Sequence, residues 1–202
     1  MRSTIAQAPG APPPGNRMLA QEAIMIEAPK IIDIDPARAI AVVRIHCPRE
    51  ELSCTLNRGV RELLDRIKTQ GARAMGPLFT HHMRDPTDSF DCEVGVAVDL
   101  PVRAAGHVHP SQWPVMRAAH ALYRGRYEDL PRAWADLQAW IARQGLAATG
   151  ELWECYVTGP EIGSDASAWR TELYLPLRAG SGLAWATGVS SWATAPTGAG
   201  SA

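Results

Sequence analysis

Two stretches of the chain carry apolar residues at spacings of four, three and four: Leu56, Val60, Leu63 and Ile67, then Leu130, Trp134, Leu137 and Ile141. That spacing lines one face of an α-helix, and it predicts helices over about 51–70 and 130–144. Each pattern closes on Gln-Gly, at Gln70-Gly71 and Gln144-Gly145, where a left-handed C-cap needs a glycine. Asp129 ahead of Leu130-Pro131 suits an N-cap side chain with proline in the first turn. Before each helix stands a strand-like run, "RAIAVVRIHC" and "VMRAAHALYRG". After each come two more, over about 73–83 and 92–98 in the first case, and 152–157 and 170–175 in the second. The loops "RDPTDSFD" and "TGPEIGSDASAW" are built from turn formers.

The two sets superimpose. With Gly71 set on Gly145, an offset of 74, the helical quartets coincide and "GPLFTHHM" falls on "GELWECYV" without a gap. A five-residue insertion in the next loop then places "DCEVGVAV" on "RTELYLPL" and Glu93 on Glu172, an offset of 79. Such a repeat predicts an α+β fold made of a duplicated βαββ unit with pseudo-two-fold symmetry. Antiparallel sheets, each covered by a helix, are expected, with a cleft between the halves. Repeat one spans 31–101 and repeat two 113–177, within a domain over 29–177. "HPSQWP", His109 to Pro114, reads as the Pro-bounded linker between them. Residues 1–28, with their Pro/Gly/Ala segment, and 178–202, rich in Gly, Ser, Ala and Thr, read as disordered tails. Trp185 and Trp192 are the strong hydrophobes of the second tail.

Composition changes this picture little. Twenty basic and twenty-one acidic residues leave no basic face for phosphates, so direct nucleic-acid binding is not indicated. No apolar run approaches the roughly 20 residues that cross a bilayer, so no membrane association is expected. Four scattered cysteines without CxxC spacing fit free thiols and a cytoplasmic location. His81-His82 and the pair His107 and His109 resemble metal ligands, but no carboxylate or cysteine completes a set. No metal and no cofactor is expected.

The stretch "HALYRGRYEDLPRAWADLQAWIARQGL", followed by "GELWECYVTGP" and "WRTELYLPL", resembles the GyrI-like effector-binding domain. The resemblance rests on Gly-x-Tyr at Gly125 to Tyr127, Glu-x-Tyr at Glu154 to Tyr156, and the close "TELYLPL". It covers about 31–177 and is strongest from His120 onward. It implies the fold of the ligand-binding halves of multidrug-sensing transcription activators, with a cleft that receives flat, apolar, often cationic molecules. The activators add a helix-turn-helix; here a stand-alone version is expected. Stand-alone members include gyrase inhibitors, drug-sequestering proteins, and hydrolases that open cyclopropane-bearing alkylating agents.

Strand alternation then proposes a site. Glu154 and Tyr156 share one face of their strand, as do Glu172 and Tyr174 on the next. If these strands pair as a hairpin, both carboxylates are expected on one side, with Thr80, His82 and Glu93 facing them from the first repeat. The candidate ligand-binding residues are therefore Glu172, Glu154, Tyr156, Tyr127, Tyr174, His82 and Glu93. A carboxylate between aromatic walls suits an aromatic cation. The same set suits hydrolysis, with Glu154 activating water and Tyr127 or Tyr156 holding the leaving oxygen.

Plainer readings stand beside these: a solvated Glu154, core or rim tyrosines, core-filling Trp134, Trp140 and Trp153, and a buried Cys155. Three functions stay open. The first is binding of hydrophobic, planar or cationic compounds, for sequestration or sensing. The second is hydrolysis of an electrophilic small molecule. The third is a gyrase-inhibitor-like protein contact, for which a net charge of −1 offers little. A small hydrophobic or aromatic ligand is thus the expected partner, and a homodimer is left open.

Overall fold

The computed structural model describes residues 26–34, 38–83 and 89–180. In chain order the elements are β1 (Lys30–Ile34), β2 (Ala39–Pro48), α1 (Leu52–Thr69), β3 (Leu78–His82), β4 (Ser89–Ala97), β5 (Val108–Gln112), β6 (Met116–Arg124), α2 (Leu130–Arg143), β7 (Leu152–Thr158) and β8 (Arg170–Pro176). The strands form a single eight-stranded antiparallel sheet in the order β1-β6-β8-β7-β3-β4-β2-β5. The fold is α+β, as the sequence pattern implies. The expectation of a separate sheet in each half gives way to one continuous sheet, because β3 and β7 pair directly.

Both helices end as their sequences require. Gly71 and Gly145 adopt φ of 75° and 67°. Just beyond them, Ala72 N–H donates to Ile67 O at 3.1 Å and Leu146 N–H to Ile141 O at 3.2 Å. These are matching Schellman closures. The start of α2 differs from expectation. A 3-10 turn, Tyr127–Asp129, leads into it, and Asp129 itself has helical φ/ψ and makes no side-chain cap bond. With the helical turn already begun, the Asp129 carboxylate is not placed to meet the first free N–H groups.

Register places both helices on one face of the sheet. Thr80 of β3 pairs with Val94 of β4, which packs in the core beneath α1. Thr80 also pairs with Glu154 of β7, which is bonded from α2. The core beneath α1 joins Leu63 and Ile67 to Val43, Ile45, Val94 and Val96. The core beneath α2 joins Leu137 and Ile141 to Ala121, Leu152, Leu173 and Leu175. Burying each large aliphatic side chain contributes about 1.5–3 kcal/mol relative to exposure, so each helix is fixed by its own apolar stripe. A third cluster (Ile40, Val42, Phe79, Trp153 and Cys155) occupies the opposite face.

Two strands fall outside the expected pattern. The stretch read as a linker supplies β5, which pairs with β2 and buries Val108 completely. Strand β1 precedes β2 in the chain, yet it pairs with β6, far along the sequence. Ile26 extends that edge by bridging Tyr123, so the described chain begins before the expected boundary at 29. At the other end, Arg178 N–H donates to Ala147 O at 2.8 Å. The expected disordered tails otherwise fall on 1–25 and 181–202, which lie outside the described residues with Trp185 and Trp192, as do 84–88 of the loop "RDPTDSFD". Among the described residues no helix is long and apolar enough to cross a membrane.

Candidate functional site

Between the two helix-covered cores runs the seam where β3 meets β7. Here the sheet presents four polar side chains to the helix face, with Leu78 and Leu152 at the two ends. The register Leu78↔Tyr156, Thr80↔Glu154, His82↔Leu152 brings Thr80, His82, Glu154 and Tyr156 together on that face. Glu154 is only 8% exposed. Its Oε1 accepts from the indole Nε1–H of Trp134 at 2.7 Å, and its Oε2 from the Tyr156 hydroxyl at 2.7 Å. The Thr80 hydroxyl lies 2.8 Å from the Tyr156 oxygen and 3.3 Å from Glu154 Oε2. His82 Nε2 stands 3.3 Å from Thr80 Oγ1 and 3.8 Å from Glu154 Oε2.

This surrounding fixes the charge states. Burial pushes the Glu154 carboxyl up, but His82 beside it and the Trp134 and Tyr156 donors outweigh burial and hold it below the usual range. It is therefore a carboxylate at neutral pH. Tyr156 is pushed well above the ordinary phenol value by burial and by the Glu154 charge, so it stays a donor. Tyr127 meets Tyr156 edge to face, 5.4 Å between ring centroids, and lies 5.3 Å from Trp169. Its phenol is raised by burial first, then by Glu161 and Glu154. Glu154, Tyr156, Tyr127 and His82 thus form one group, with aromatic rings on its flank.

The other expected residues do not join it. On β7 and β8 the register is Glu154↔Leu173 and Cys155↔Glu172, so the two carboxylates point to opposite faces of the sheet. The expectation of both on one side fails by a single residue of register, which inverts every side chain of a strand. Glu172 and Tyr174 lie on the face away from the helices, with the Tyr174 hydroxyl donating to Glu172 Oε2 at 2.5 Å. Glu93 is on that face too, opposite His81 in register, its Oε2 3.6 Å from His81 Nδ1. His81 stacks on Trp153 at 3.9 Å and reaches Glu151 at 3.2 Å. His107 is bonded to Glu62, and His109 is exposed on the edge strand β5. Among the described residues no group of three or more His, Cys, Asp or Glu is arranged to hold a metal ion.

Sequence reasoning assigned Trp134 to the core and so missed its bond to Glu154. The signal available was its indole N–H, which needs an acceptor when buried. His120, on the far face, is not among the expected residues, and Trp113 on the same face lies in the stretch read as a linker. Each sits in or beside a strand whose pairing partner is remote in sequence.

One antiparallel sheet, two helices on one face and a buried carboxylate ringed by donors on the seam between them make a compact α+β domain. The chain belongs to the family of the GyrI-like small molecule binding domain, whose model matches residues 27–178. The chain has no significant match among curated protein sequences. Among solved structures it is similar to the EcmrR C-terminal domain, with a TM-score of 0.68, 19% identity, and coverage of 77% of this chain and 99% of that one. Of the EcmrR chain seen in complex with DNA it covers 57%, at 20% identity and a TM-score of 0.66. It is also similar to a hydrolase from Listeria innocua (TM-score 0.54, 12% identity, 74% and 91% covered). SAV2435 bound to tetraphenylphosphonium matches with a TM-score of 0.55 and 8% identity, covering 76% and 95%.

Proposed function

We propose that this protein binds a hydrophobic, planar or bulky organic cation on the β3–β7 seam, with Glu154 as its anchor, and acts by sequestration or sensing. The carrying observation is the kind of partner Glu154 has. A carboxylate 8% exposed is held by an indole, a phenol and a hydroxyl, with an imidazole at 3.8 Å. Burying a charge costs several kcal/mol unless it is well compensated, and the fold does not require one at this position. Thr80, the residue opposite Glu154 and its counterpart at the offset of 74, is buried to 1% exposure without any charge. A cation among aromatic rings would pair with this carboxylate in a poorly solvated site.

The recurrence of the same helix closures in both halves supports reading them as two copies of one unit. On that reading Glu154 is an addition made in the second copy. SAV2435 bound to tetraphenylphosphonium supports a cationic ligand by likeness of fold. The hydrolase reading, with Glu154 as base, is less well supported. A general base needs free access to a water proton, and both Glu154 oxygens already accept protein hydrogen bonds.

Titrating tetraphenylphosphonium against the wild type and E154Q tests the proposal. Binding in the wild type, weakened about tenfold or more in E154Q, is expected; one such factor is about 1.4 kcal/mol. Equal affinity in both, or none in the wild type, would remove Glu154 as anchor.

A further inference from the structure

The two halves follow one backbone path out of β4 and β8. Met75 N–H donates to Ala97 O at 2.7 Å, and Thr149 N–H to Pro176 O at 2.9 Å. Ala74 bridges Val98 as Ala148 bridges Leu177. Asp99 N–H donates to Arg73 O at 3.1 Å, and Arg178 N–H to Ala147 O at 2.8 Å. Within these pairs, residues ahead of the loop insertion differ by 74 and those after it by 79, the offsets of the sequence repeat.

Beyond Asp99 the first half shows where this path leads. The connector to β5 crosses to α1 and is fastened along one ridge of it, with Val102 buried in the core beneath. Arg103 N–H donates to Gln70 Oε1 at 2.7 Å, and Gln70 Nε2 donates to Arg103 O at 3.0 Å. Farther along, His107 N–H donates to Glu62 Oε1 at 2.9 Å, and its Nδ1 lies 3.0 Å from Glu62 Oε2. Gln70 and Glu62 stand about 12 Å apart along the helix axis, a distance that the extended chain from Arg103 to His107 just spans.

The second helix carries counterparts of both fastening residues. At the offset of 74, Gln70 falls on Gln144 and Glu62 on Asp136. Among the described residues neither the Gln144 nor the Asp136 side chain makes a hydrogen bond or an ion pair. Between them on the same ridge stands Trp140, partly exposed, where α1 has Arg66. Leu146, just beyond, is partly exposed where its counterpart Ala72 is buried. An amide, an indole and a carboxylate thus lie in line on α2.

We propose that this ridge is a docking surface for residues 181–187 of the same chain, which run from Gln144 toward Asp136 as the first connector runs along α1. Gly182, the counterpart of Arg103 at the offset of 79, pairs its backbone N–H and C=O with the Gln144 amide, a contact that asks nothing of a side chain. Leu183 and Trp185 bring apolar surface to Trp140 and Leu146, and the Trp185 indole N–H is the donor for Asp136. From Ala179 onward the chain carries no charge, so laying it on an aromatic ring desolvates no ion. Arg178, bonded to Ala147 at the end of the same helix, delivers the segment at high effective concentration. That tether selects it over a second copy or a separate partner. Fastening α2 also steadies Trp134, whose indole N–H meets Glu154 Oε1 at 2.7 Å.

The test is a double-mutant cycle in the full chain. Q144A removes the amide, and G182P removes the backbone N–H that the amide accepts. Each is expected to lower the melting temperature by about 2–4 °C, and the double variant should melt no lower than either single one. Q70A, whose partner is Arg103, should add fully to G182P. Hydrogen exchange followed by mass spectrometry gives a second readout. Amides within 181–187 should exchange about fivefold or more slowly in the wild type than in Q144A, while those of β8 stay unchanged. No loss in G182P, or losses from Q144A and G182P that add in full, would overturn the proposal. So would free exchange of 181–187 in the wild type, or protection that Q144A leaves intact. A loss in G182P that disappears on dilution would give the ridge to a second copy and overturn it as well.

Discussion

Thr80 and Glu154 stand directly opposite each other at the middle of the sheet, with the Thr80 hydroxyl 3.3 Å from Glu154 Oε2. A neutral hydroxyl on β3 thus touches a charge on β7. The energetic consequences of that charge can be measured.

The stability of the wild type should depend on pH through Glu154. Its folded-state pKa is lowered, against an unfolded value of about 4.3. The stability it contributes is therefore fully present above about pH 4.3 and lost as pH falls through the folded value. In E154Q this part is absent. Urea unfolding should show E154Q less stable than the wild type near neutral pH, by about 1–3 kcal/mol for hydrogen bonds to a charged group. The gap should close on acidification. A gap that widens instead would mean that burial, not the donors, sets the carboxyl.

Trp134→Phe keeps an aromatic ring under α2 but removes the Nε1–H that Glu154 Oε1 accepts at 2.7 Å. An under-satisfied buried carboxylate costs about 1–3 kcal/mol, visible as a lowered urea midpoint. The same loss should tighten tetraphenylphosphonium binding, because the ligand no longer competes with the indole for the carboxylate. Weaker binding together with lower stability would show the indole to be a wall of the ligand site.

Gly95→Ala should be markedly destabilising. A Cβ there would stand 2.5 Å from Phe79 Cζ and 2.8 Å from both Ala41 O and Val42 Cγ1. The backbone oxygen cannot swing aside, so overpacking of about 1–3 kcal/mol is expected. Thermal melting should shift downward by roughly 2–4 °C per kcal/mol lost.

Of the four cysteines only Cys54 is exposed. Burial, followed by the Cys47 and Glu154 charges, pushes the Cys92 thiol up to about 12, and burial likewise raises Cys155. Since the thiolate is the reactive form, a disulfide reagent should modify one thiol rapidly in the native chain and four after denaturation. A second fast thiol would show that β2, β4 or β7 opens readily.

Much of this fold was legible in the residues. The 4-3-4 stripes gave both helices to within a residue or two, and the two Gln-Gly pairs located their closures, because helix periodicity and left-handed caps are local properties. Strands β1 and β5 were not legible. "KIIDI" is five residues long, and "VHPSQ" contains a proline and a single strong hydrophobe. Both exist because a remote edge offers hydrogen bonds. The site was legible in part. Glu154, Tyr156, Tyr127 and His82 come together, whereas Glu172, Tyr174 and Glu93 lie on the other face. That division depends on the β3–β4 and β7–β8 registers, and no local pattern encodes them.

The exchanged edges have a consequence of their own. Strand β1 opens the first half in sequence but is bonded to β6, while β5 lies ahead of the second half and is bonded to β2. Each half therefore lends its leading strand to the other, as in a domain swap closed within one chain. Neither half can complete its own sheet if the chain is cut at the connection between them, so the two should melt in one cooperative transition. The many pairings between distant residues should also make folding slow for a chain of this size. A bound ligand would then stabilise both halves at once.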